Sequence, residues 1–159
     1  MDKFNQKLKD YLTVYKTPIA PNSLDPTVFY FPETGEPPRL LPGINAQITN
    51  DLQALASTDP TRIQSCVIVG DAVKPGTNNR TSDIKVLVVL NKALMNIDMD
   101  GIMAEEILKM CNALSQRQAV GTTRKINYVP TVRDLELNDY EGVYDIPNNT
   151  WIKTPSGLK

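Results

Sequence analysis

The residues of this chain best placed to do chemistry are Asp83 and Lys85, with Gly70 and Asp71 some way before them. They sit in the stretch from Cys66 to Leu90, CVIVGDAVKPGTNNRTSDIKVLVVL. Two short apolar runs, Val67 to Val69 and Val86 to Leu90, are rich in β-branched residues and bounded by turn formers, which predicts two buried strands. Gly70 ends the first and Ser82-Asp83 opens the second. Side chains two apart on a strand project to the same face, so Asp83 and Lys85 stand together. The chain contains no histidine. Ser-His-Asp and Cys-His hydrolysis are therefore excluded, as is any histidine-ligated metal. Any chemistry must use carboxylates, lysine, tyrosine or a bound metal.

The strand, glycine turn, loop and second strand resemble the nucleotidyltransferase superfamily. Its motif is a strand, a Gly-Ser turn, a loop of about ten residues, then Asp-x-Asp or Asp-x-Glu on the next strand. The resemblance implies a nucleoside triphosphate cradled at the glycine turn, with carboxylates holding divalent metals that bridge the phosphates and the attacking hydroxyl. Gly70 matches, Asp71 stands where the serine is usual, and Ser82-Asp83-Ile84-Lys85 puts a lysine at the second metal carboxylate.

The elements that must position these residues follow from pattern and composition. A length of 159 residues is that of one domain with a real core, and 41% hydrophobic with 22% charged residues is ordinary for a globular protein. The net charge of −1 gives no global footprint for nucleic acid or an anionic membrane. No apolar run reaches the roughly 18 residues that span a bilayer, and the start carries no signal-peptide core, so a soluble protein is expected. Cys66 and Cys111 read as small buried hydrophobes rather than a disulfide or metal pair.

Phe4, Leu8, Tyr11, Leu12 and Tyr15 recur at helical spacing, predicting an amphipathic helix over 3–15 with Lys3, Lys7, Lys9 and Asp10 on its wet side. Its stripe packs on its own core or on a partner. Residues 17–43 carry seven prolines and are expected to run extended over a surface, giving an N-terminal arm, 1–43, and a main domain, 44–159. Helices are predicted over about 42–56 and 100–115, with Asp98 or Asp100 capping the second. Strands are predicted from Ile63 to Val69 and from Arg124 to Val129, the latter continued from Val132 to Leu137. A hairpin from Gly142 to Ile146 and from Thr150 to Lys153 turns at Pro147-Asn148-Asn149. This order implies an α+β domain with a mixed sheet flanked by helices.

A closer resemblance is to small nucleotidyltransferase-like proteins of tailed bacteriophages, over about residues 24–155. Leu24-Asp25-Pro26 with Phe29 echoes their opening block, and Gly70-Asp71 with Ser82 to Lys85 echoes the metal block. Lys125 to Val129 echoes the third-carboxylate strand, and Gly142-Val143-Tyr144-Asp145 with Asn149 to Lys153 echoes the closing block. Two departures stand out. Asn127 aligns with the third carboxylate and Lys85 with the second, so Asp83 alone survives. A cation beside a divalent metal repels it by several kcal/mol even at an effective dielectric of about 20. Catalysis by two metals should be lost or severely reduced.

The resemblance therefore implies a degenerate fold without cofactor, reused as a structural or interaction component of a phage, in the host cytoplasm or in the virion at a head, neck or tail junction. Its partners would be other phage proteins or copies of itself, met through the arm. Two other readings remain: an active transferase using Asp83, Asp71 and Mg²⁺, and a nucleotide-binding regulator without turnover. If a nucleotide binds, Gly70, Lys74, Arg80, Ser82 and Lys85 would line its site, with Arg124 and Lys125 adding to an anion pocket. Structural roles stand beside these: Asp83 capping the loop or pairing with Lys85, Tyr128, Tyr144 and Trp151 in the core, and Asp134, Glu136, Asp139, Glu141 and Asp145 on a wet face.

Overall fold

The computed structural model describes residues 23–56, 63–76, 82–91 and 102–156, with no description of the side chains of 102–104. The predicted helix over 3–15 and the caps Asp98 and Asp100 lie outside these residues. The described chain is α+β. Strands β1 (Phe29–Tyr30) and β2 (Arg39–Leu40) form a small antiparallel pair. Helix α1 (Pro42–Ala56) follows, then β3 (Ile63–Val69), β4 (Ile84–Leu90), α2 (Ile102–Leu114), β5 (Ile126–Thr131) and the hairpin β6 (Val143–Asp145) and β7 (Thr150–Lys153).

The main sheet has the order β5-β4-β3-β6-β7. β4 and β5 are parallel, and α2 lies in the connection between them; the remaining pairs are antiparallel. Period-two alternation divides the sheet into two faces. Cys66, Ile68, Ile84, Val86, Val88, Ile126, Tyr128 and Tyr144 share the larger apolar cluster with Ile44, Ile48 and Leu55 of α1 and Ile107 and Cys111 of α2. Val67, Val69, Leu87 and Val143 face the other way, against Val129, Leu135 and Tyr140.

Local chemistry explains the helix boundaries. Pro42 opens α1, where a missing N–H costs nothing, and Asn45 N–H donates to Leu41 O at 3.0 Å to start the ladder. At the end of α2, Ser115 Oγ donates to Cys111 O at 2.6 Å and accepts from Tyr128 N–H at 2.9 Å. One hydroxyl thus joins the helix terminus to the adjoining strand.

Leu24, Val28, Phe29 and Leu40, all before residue 43, are buried in the larger cluster. Phe29 meets Tyr144 edge-on at 5.4 Å and stacks on Trp151 at 5.5 Å. Trp151 Nε1–H donates to Pro38 O at 2.7 Å, and Leu40 N–H donates to Tyr144 Oη at 3.2 Å. Each aromatic pair contributes about 0.5–1.5 kcal/mol beyond area burial. The described part of the proline-rich stretch is thereby fixed to the hairpin by side chains, where regular pairing is limited to two residues per strand.

The third strand differs from expectation at its end. β5 runs through Pro130 to Thr131 and does not continue over Val132 to Leu137. It is an edge strand, where a proline is tolerated. Thr131 Oγ1 then accepts from Arg133 N–H at 3.1 Å, turning the chain out of the sheet toward a 3₁₀ turn at Leu137–Asp139.

Candidate functional site

Gly70, Asp71, Asp83, Lys85 and Asn127 gather at one end of the sheet, toward the face opposite the helices. The register produces this. Lys85 on β4 is the direct partner of Val69 on β3 and of Asn127 on β5. Gly70 continues β3 by one residue, and a Cβ placed on it would lie 3.8 Å from Lys85 Cβ. Its φ of 83° and ψ of −151° belong to a region essentially restricted to glycine. That conformation turns the chain into the 3₁₀ turn Asp71–Val73, closed by Val73 N–H to Gly70 O at 3.1 Å and Lys74 N–H to Asp71 O at 3.2 Å.

The opposite wall of this turn is also specified. A Cβ on Gly142 would approach Val73 O to 2.8 Å and Pro155 Cγ to 2.7 Å. Only glycine lets the start of β6 lie this close to the turn.

Asp71, Lys74 and Asp83 are exposed, while Ser82, Lys85 and Asn127 are half-buried. Ile84 N–H donates to Lys125 O at 2.8 Å, so Asp83 lies just outside the first bond of the parallel pair. Among the described residues, Asp83 and Lys85 form no ion pair with each other, and no backbone N–H donates to the Asp83 carboxylate. Nor do any three cysteine, aspartate or glutamate side chains among them cluster as ligands for a cation. What the register sets side by side is one lysine and one carboxamide. An ammonium is a donor only, and a carboxamide oxygen is neutral and a weak metal ligand.

Arg124 departs from its expected place in an anion pocket. Its side chain is 1% exposed, its Nε–H donates to Asp25 Oδ2 at 3.0 Å, and its Nη1–H donates to Ser82 O at 2.9 Å. Asp25 Oδ1 in turn accepts from Thr27 N–H at 2.9 Å and Thr27 Oγ1–H at 2.7 Å. A buried charge persists only when paired and hydrogen-bonded, and these contacts commit the guanidinium to Asp25 and the Ser82 carbonyl. Arg124 is thus a strut between the N-terminal turn and the backbone just before Asp83. Ser82 takes part through its carbonyl. Lys125 is exposed, and Arg80 lies outside the described residues.

A second polar group was not foreseen from sequence. Asp51 of α1 is 5% exposed and accepts from Arg117 and from Tyr128 Oη–H, the latter at 2.5 Å. Burial, then the bond to Asp51, pushes the Tyr128 phenol above its ordinary range. The two cysteines are free and buried. Burial raises both thiols, Cys111 to about 11, so neither is a ready nucleophile.

The chain matches no family model, no curated protein and no solved structure. Among the described residues, no helix is long and apolar enough to cross a membrane.

Proposed function

We propose that this chain is a catalytically degenerate nucleotidyltransferase-fold protein that works through protein contacts as a structural or interaction component. The observation that carries the reading is the direct pairing of Lys85 with Asn127 beside the Gly70 turn. In the superfamily that the motif resembles, these two positions would carry metal carboxylates. Here they carry a positive charge and a neutral amide, which leaves Asp83 as the single carboxylate of the three.

Supporting this reading, β3, the glycine turn, β4 and β5 follow one another in the order that the resemblance implies, and β4 pairs with both strands. Their retention without the metal ligands fits a fold kept for its shape. The setting is the one implied by the resemblance to tailed-phage proteins, the host cytoplasm or the assembled virion, with phage proteins or further copies of this chain as partners.

The test is transfer of label from each α-labelled nucleoside triphosphate to the protein or to added RNA, with Mg²⁺ or Mn²⁺. The expected result is no transfer above background. Metal-dependent transfer that disappears in Asp83→Ala would overturn the reading in favour of an active enzyme.

A further inference from the structure

Among the described residues, the face of the sheet opposite α1 and α2 holds a cavity of about 680 Å³ away from the Gly70 end. Leu87, Val89 and Val129 form its floor, and Leu135 and Tyr140 form an apolar wall. Glu136 and Asp139 on its rim are exposed. The 3₁₀ turn that carries the rim is fixed in place, because Lys153 Nζ donates to Leu137 O at 3.0 Å and to Tyr140 O at 2.7 Å. A trough with an apolar floor and wall beneath an acidic rim fits an amphipathic segment with basic flanks.

The chain encodes such a segment. Over residues 3–15 the sequence sets Phe4, Leu8, Tyr11, Leu12 and Tyr15 on one helical stripe, with three lysines and one aspartate beyond it. At 3.6 residues per turn, Lys7 and Lys9 fall on opposite flanks of that stripe, and Asp10 lies farthest from it. The lining of the cavity carries Arg133 against Asp134, Glu136 and Asp139, so groove and segment have opposite net charge. Pro18 and Pro21 favour an extended connection after the segment, which suits delivery to a neighbour more than a tight return.

We infer that this cavity receives the N-terminal segment 3–15 of a second copy of the chain. The apolar stripe enters the trough, and Lys7 and Lys9 meet Glu136 and Asp139. The contact is heterologous, one patch against a different patch, and therefore builds rings or open chains rather than only closed pairs. It rests on the proposed reading only in naming the surface and partner for protein contacts. Nucleotide transfer tests the loss of chemistry, whereas self-association tests this contact, so either can fail alone.

The experiment is sedimentation velocity on the full chain at rising concentration. Three samples are compared: wild type, a groove variant carrying Glu136→Lys and Asp139→Lys, and an arm variant carrying Lys7→Glu and Lys9→Glu. Wild type is expected to associate with concentration, and each variant alone to stay monomeric because its arm and groove then share one sign. An equimolar mixture of the two variants should regain a complex, since an acidic arm meets a basic groove. The groove substitutions lie at exposed positions, and circular dichroism confirms the fold of each sample. A monomeric wild type, association that persists in both variants, or a mixture that stays monomeric would overturn the inference.

Discussion

Arg124 Nε lies 3.0 Å from Asp25 Oδ2, with both side chains almost wholly buried and the two residues 99 apart in sequence. Removing one partner leaves an uncompensated buried charge, which typically costs about 3–5 kcal/mol. Arg124→Met and Asp25→Asn should each lower the free energy of unfolding, read from urea titration, by that order. The double variant should recover part of the loss, a coupling that a double-mutant cycle reads directly. Additive losses would mean that the pair is not coupled.

Gly70 makes a sharper local prediction. Its φ of 83° and ψ of −151° cost any L-residue about 1–3 kcal/mol, so Gly70→Ala should destabilise by that amount in chemical denaturation. Asp71→Ala next to it, an exposed position, should stay within about 0.5 kcal/mol. Equal effects at the two positions would refute the assignment of strain to the glycine.

Alkaline pH should weaken the fold through Cys111. Burial raises this thiol from 9.0 to about 11 in the folded chain, so the unfolded chain releases its proton first. The stability contributed by the neutral thiol is complete below pH 9.0 and is lost as pH rises toward about 11. Cys111→Ala should flatten that part of the stability profile relative to wild type. A profile unchanged by the substitution would place the alkaline sensitivity elsewhere.

The pairing of Lys85 with Asn127 predicts a gain of function on reversal. Lys85→Asp with Asn127→Asp would set two carboxylates in register beside Asp83. Without metal the three like charges repel and should lower the melting temperature; Mn²⁺ should restore it by binding the folded state. Wild type should show no comparable shift with Mn²⁺. Equal shifts in both proteins would mean that the lysine does not block the site.

Much of the fold was legible because it rests on local pattern. Val-rich runs bounded by glycine and serine located β3 and β4, and the spacing of Ile44, Ile48 and Leu55 located α1. The two-residue offset of Asp83 and Lys85, and the alignment of Asn127 with them, led to the face on which the register pairs Lys85 with Asn127. Contacts closed across the chain were not legible. Arg124 reads in sequence as a cation of an anion pocket, since nothing in its neighbourhood reveals an Asp25 partner 99 positions away. Asp51 likewise occupies an unremarkable helical position, and only the packing of α1 on β5 brings it to Tyr128. The end of β5 was misread because Pro130 marks an edge rather than a break.

The most direct test of the central claim is calorimetric titration of the full chain with ATP, GTP, CTP and UTP, each with and without Mg²⁺ or Mn²⁺. Under the proposed reading, in which Lys85 and Asn127 replace metal carboxylates, no metal-dependent saturable binding is predicted for any of the four. Saturable binding that requires the metal would contradict the account, because Asp83 would then be assembling a working site with other ligands.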